Sequence, residues 1–169
     1  QRLSGLNQGT VGGHRRPHKP CMLLAVLSLA ENGCLTENKI HPDPELVELF
    51  RAYFDATRDA DDRCTPENPF FYLKNEGFWH LHPPTGTHTT VVTLTAPGSW
   101  ASIVRSVAYA SLDAGLFALI RSHVERETLR ETLISTYFPH QRAKILAITA
   151  REQAVGTVRK EWDGEQDQG

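Results

Sequence analysis

The residues best placed to do chemistry lie in one short stretch, Gly12-Gly13-His14-Arg15-Arg16-Pro17-His18-Lys19-Pro20. Positions 14 to 19 carry three cations and two imidazoles and run into Cys21-Met22-Leu23-Leu24-Ala25-Val26-Leu27, a segment apolar enough to demand burial. Proline suits the first turn of a helix, because its missing N–H has no partner there and its φ is already helical. Pro20 therefore sets the cations at a helix N-terminus, where free backbone N–H groups and the positive end of the dipole favour an anion. The chemistry implied is phosphate binding. The plainer alternative is a solvated entry to a core helix.

The other grouping is His80, His82 and His88, of which the first two would share one face of a strand. A metal-dependent nuclease domain built on these three histidines is an alternative reading. No Cys-x-x-Cys, His-Glu-x-x-His or carboxylate triad accompanies them, and no closely spaced His and Asn suggests a ββα-metal unit. A P-loop, a Gly-x-Ser-x-Gly elbow and a Ser/His/Asp or Cys/His order are also missing. The expectation is no catalytic residue, no metal site and no cofactor.

The chain has 169 residues, 40% hydrophobic and 22% charged, which suits one domain with a substantial core. No apolar run reaches the ~18 residues of a membrane span, and no signal-peptide pattern is present. A cytoplasmic protein without a membrane partner is expected. Cys21, Cys34 and Cys64 match neither a disulfide framework nor a zinc knuckle and read as reduced core residues. The net charge of −2 is unevenly spread: residues 1–30 hold four bases and no acid, residues 31–63 nine acids against four bases. A basic pole on an acidic body suits a selective reader of DNA better than a packaging protein.

The elements that must position these residues follow from pattern. Residues 1–13, with four glycines and little to bury, read as a flexible arm. A helix from about Pro20 to Asn32 is apolar nearly all round and stops at Gly33. Asp43 caps and Pro44 opens a second helix, with Leu46, Leu49, Phe50, Tyr53 and Phe54 on its buried side. The polar run 55–67 reads as a loop. Residues 68–73 and 78–81, aromatic-rich and separated by Lys74-Asn75-Glu76-Gly77, read as a β-hairpin, with Val91–Leu94 as a third strand. Ser99 caps the first of several helices in the last third, and Glu161–Gly169 reads as a linker or frayed tail. The fold class expected is α+β and predominantly helical, helices packing around an aromatic hairpin, with a winged-helix-like N-terminal half. A regulatory winged-helix interaction module is thus a further alternative function.

Pro17-His18-Lys19-Pro20 before an apolar helix resembles the amino-terminal module of bacterial HNH-type restriction endonucleases. So do Asn68-Pro69-Phe70-Phe71-Tyr72-Leu73, Asn75-Glu76-Gly77-Phe78-Trp79, Leu112-Asp113 and Tyr137-Phe138-Pro139. The likeness is to the sulfur-binding domain of the phosphorothioate-dependent, type IV members and covers most of residues 10–150. It implies a non-catalytic domain at 14–150 that recognises double-stranded DNA in which sulfur replaces a non-bridging phosphate oxygen. Residues 151–169 would then lead to an HNH nuclease domain, the part for which a divalent metal is expected, and a dimer would form through the full-length enzyme.

The resemblance also implies a site. His18 and Lys19 take the family's His-basic pair, and Asn68, Pro69 and Tyr72 line a shallow apolar cavity, with Arg15 and Arg16 at its rim. Lys19 stands where an Arg is found in the family, giving a point charge in place of a bidentate fork, and Asn68 stands where a Tyr is common. His14, Thr87, His88, Arg105, Ser106 and Ser111 are candidates for further DNA contact. Sulfur is larger, more polarisable and less hydrated than oxygen, so its reader needs an apolar surface with cations nearby. An ordinary phosphate meeting that surface loses hydration, which penalises it.

Overall fold

A segment apolar on every side can only be stable if it is surrounded, and residues 20–29 are all buried. They belong to α1 (His18–Glu31), the hub of a computed structural model that describes residues 2–11, 14–86 and 94–167. Around α1 pack α2 (Pro44–Thr57), α3 (Glu67–Tyr72), α5 (Ala114–Arg121), α6 (His123–Tyr137) and α7 (Arg142–Gln166), with α4 (Trp100–Ser106) against α3. The Asp43 carboxylate accepts from the Leu46 N–H at 3.0 Å, and Ser99 caps α4 in the same way. Gly33, at φ 85, ends α1 in the left-handed region. The result is a predominantly helical α+β fold. Among the described residues no helix is long and apolar enough to cross a membrane.

The strands correct the expected hairpin. Residues 67–72 are helical, and Leu73–Glu76 continues them as a 3-10 turn. Glu67, Asn68 and Pro69 form the first helical turn, where proline costs nothing, whereas a proline inside a strand leaves a gap in the ladder. The strand β3 (Trp79–His82) pairs antiparallel with β4 (Tyr109–Leu112), Trp79 opposite Leu112 and His82 opposite Tyr109. The sheet is thus a pairing of segments some thirty residues apart. Asn38 finishes one end, donating to the Leu112 carbonyl at 2.7 Å and accepting from its N–H at 2.8 Å. The third strand expected at Val91–Leu94 falls outside the described residues except for Leu94, which is irregular.

The two ends also differ from expectation. Residues 2–11 are not a loose arm: Arg2–Gly5 forms a 3-10 turn, and Leu3 and Leu6 are buried. The Tyr137 hydroxyl donates to the Leu3 carbonyl and accepts from the Leu6 N–H. Thr10–Val11 (β1) pairs with His14–Arg15 (β2). Residues 161–166, expected as a tail, extend α7, which is rich in good helix formers. Only Cys21 is a core cysteine; Cys34 is exposed and Cys64 half-buried.

Candidate nucleic-acid interface

Helical geometry in α3 builds one wall of the site. Residues 68, 69 and 72 are spaced so that they fall on one side of a helix, Asn68 and Tyr72 half-buried and Pro69 buried, while Phe70 and Phe71 turn into the core and are fully buried. As a strand, the same run would have put Phe70 and Phe71 on opposite faces. Asn68 is held by its side-chain amide, which donates to the Thr65 hydroxyl at 2.9 Å. The opposite wall is the start of α1, which packs directly on α3.

Between them lies a cavity of about 460 Å³. Its lining brings together Arg16, His18, Lys19, Asn68, Pro69 and Tyr72, all six named from sequence. Asn7, Gln8, Gly9 and Asn75 complete it, and sequence reasoning missed these four. The strap 7–9 is tied to the basic stretch by two bonds of 2.8 Å, from the Arg16 N–H to the Gly9 carbonyl and from the Gln8 amide to the Arg16 carbonyl. A side chain at position 9 would crowd the Arg16 stem, its Cβ only 3.2 Å from Cδ. Gly9 is thus a point of close backbone approach, where the sequence suggested only a loop.

The electrostatics are less positive than a count of cations suggests. His18 Nε2 donates to the Arg63 carbonyl at 2.8 Å, so in the neutral ring Nδ1 is the unprotonated nitrogen; it is buried without a hydrogen-bond partner. The ring packs against Phe54 and Phe50. Burial pushes His18 below the ordinary imidazole value, outweighing the Arg63 bond and the Asp62 carboxylate. His18 therefore meets the cavity as a neutral ring. The Lys19 ammonium lies 2.6 Å from the Glu76 carboxylate, with both side chains 11% exposed. Arg16 is exposed at the rim.

The other candidates lie away from this lining. Arg105 and Ser106 end α4, and Ser111 is on β4, where its hydroxyl lies 2.7 Å from His82 Nε2. The side chains of His14 and Arg15 are outside what the structure describes, as are Thr87 and His88 entirely. His80 Nε2 is 2.7 Å from an Asp113 carboxylate oxygen, and His82 stacks on Tyr109. Both histidines are thus engaged with β4 or the residue after it.

Residues 1–150 match the family model described as ScoMcrA-like, DNA sulfur-binding domain. No curated protein sequence matches the chain. Among solved structures, the chain is similar to one described as the sulfur binding domain of SprMcrA complexed with phosphorothioated DNA. The TM-score is 0.63 at 22% identity, covering 92% of this chain and 91% of that one. At that identity the likeness speaks for a shared fold.

Proposed function

This chain belongs to the ScoMcrA-like DNA sulfur-binding domain family, and from that premise we propose that the cavity between α1 and α3 receives the sulfur of a phosphorothioate linkage in double-stranded DNA. One observation carries the reading. A single cavity joins the basic start of α1 to Pro69 and Tyr72, some fifty residues later in the chain.

The chemistry of that lining suits sulfur. The proline ring, the tyrosine ring, the neutral imidazole and the stem of Lys19 offer apolar, polarisable surface. Arg16 at the rim, with Arg15 beside it in sequence, supplies charge for the linkage and its neighbours. An oxygen placed against the same surface gives up hydration without an equivalent bond in return. The domain in this reading is a non-catalytic recognition module that targets a C-terminal HNH endonuclease to modified DNA for restriction, and the metal belongs to that nuclease.

Equilibrium binding to two duplexes that differ in one non-bridging atom tests this, in EDTA and with added divalent metal. The expected result is tight binding to the sulfur duplex alone, indifferent to chelator. Equal affinity for both duplexes contradicts the proposal, and metal-dependent cleavage by this chain would favour the nuclease reading instead.

A further inference from the structure

Glu76 is an acid placed behind the wall of a cavity assigned to an anion. It is absent from the lining itself, yet its Oε1 accepts from two residues that are part of it, the Lys19 ammonium at 2.6 Å and the Asn7 backbone N–H at 3.0 Å. The 3-10 turn Leu73–Glu76 and Gly77, at φ 88 in the left-handed region, carry the chain through the bend at which Glu76 stands. With both side chains almost wholly out of water, this is not a loose surface pair. The next cation along, Lys74, is engaged over the Phe71 ring at 4.1 Å.

We propose that Glu76 sets the selectivity of the cavity by neutralising Lys19 and holding its ammonium away from the bound linkage. The inference rests on the reading that the cavity takes a sulfur-bearing linkage. A reader of sulfur must keep strong donors away from the atom it selects, because an ammonium bonds a phosphate oxygen better than a sulfur and restores what the oxygen lost in dehydration. A free lysine at this wall rescues the wrong ligand. A lysine locked to Glu76 contributes its four-carbon stem as apolar surface and little net charge. Glu76 is thus a positioning residue acting through Lys19, and the selectivity it provides comes from withholding a bond from ordinary phosphate. Its contact with Asn7 fixes the strap 7–9 over the same wall.

Glu76→Gln removes the charge and keeps an acceptor for both partners, and Lys19→Gln with Glu76→Gln removes the pair together. Binding of each protein to the matched sulfur and oxygen duplexes is measured over a range of salt, with thermal melts confirming the fold. In Glu76→Gln, affinity for the oxygen duplex should rise about tenfold and for the sulfur duplex less than about threefold, while the oxygen duplex's salt slope steepens by about one. The double variant has no ammonium to free, so it should show neither the rise in oxygen-duplex affinity nor the steeper salt slope of Glu76→Gln, while loss of the Lys19 stem lowers its sulfur-duplex affinity. It carries the test alone if Glu76→Gln folds poorly. A Glu76→Gln preference equal to wild type, or an equal loss on both duplexes, overturns the inference. So does a tenfold loss on both duplexes in the double variant, which would make Lys19 a working phosphate cation. If wild type itself shows no preference, the reading of the cavity fails and takes this inference with it.

Discussion

His18 Nε2 donates to the Arg63 carbonyl at 2.8 Å, and that bond decides what the imidazole can do. It commits one nitrogen to the loop between α2 and α3 and leaves Nδ1 buried without a partner. Protonating Nδ1 places a charge against the Phe54 and Phe50 rings. The family's His-basic pair, in this chain, is one neutral ring and one lysine already tied to an acid.

The first prediction concerns pH. Burial holds His18 below its ordinary value, with Arg16 adding to the depression and Arg63, Asp62 and Glu67 opposing it. The unfolded chain takes up a proton on His18 as pH falls through about 6.5, and the folded chain does so only at lower pH. Stability from this residue is therefore complete above the unfolded value and declines as pH falls below it, by at most about 1.4 kcal/mol per pH unit. His82, also depressed by burial, acts in the same direction. Urea unfolding from pH 7 to 5 should show a shallower decline in His18→Gln than in wild type. An unchanged slope would mean that His18 is not held neutral.

A second prediction separates the apolar wall from the rim. Tyr72→Ala removes an aromatic face and should reduce the sulfur-to-oxygen affinity ratio about tenfold, with Pro69→Ala acting the same way more weakly. Arg16→Ala should weaken both duplexes by a similar factor and lower the salt slope by about one. An intact ratio in Tyr72→Ala removes that residue from the pocket.

How much of this was legible in the sequence depends on the residue. The cation-bearing helix start could be read because Pro20 and the uninterrupted apolar run after it are local signals. Pro69 and Tyr72 are named for the site by the family resemblance, while the strand expected at 68–73 is a helix, and it is the helix that sets them on one side. The aromatic run misled because β propensity reports the fit to a half-buried surface, and here both phenylalanines are buried all round. Pairing of β3 with β4 could not be read, since nothing in Trp79–His82 points some thirty residues ahead. Nor could Glu31 be foreseen as a buried charge, because both its partners lie about a hundred residues away.

That acid supplies a third prediction. Glu31 ends α1, where the helix dipole disfavours an acid, and accepts from Arg126 Nε and Arg130 Nη2, each at 2.7 Å. Burial alone would raise its carboxyl, but the two guanidiniums hold it below the usual range. Glu31→Gln leaves Arg126 without its counter-charge and Arg130 with Glu127 alone, and should cost about 3–5 kcal/mol in urea unfolding. A loss under about 1 kcal/mol would mean the pair is solvated, as surface pairs are.

Gly156 supplies the fourth. It lies where α7 crosses the end of α1, and a Cβ built there comes 2.0 Å from the Glu31 carbonyl oxygen. Alanine elsewhere in a helix gains roughly 1 kcal/mol over glycine. Gly156→Ala should instead destabilise by about 3 kcal/mol or more, because backbone must move. A stabilised variant would show that the two helices are not in this contact.

The central claim is about where one atom goes, so the most direct measurement is its position. A crystal of this domain with a duplex bearing a single phosphorothioate locates the sulfur by its anomalous signal. The account predicts a peak within about 4 Å of the Pro69 ring and of Tyr72, the distance of carbon–sulfur van der Waals contact. A sulfur peak in solvent, or one beside His80 and His82 on β3, would contradict it.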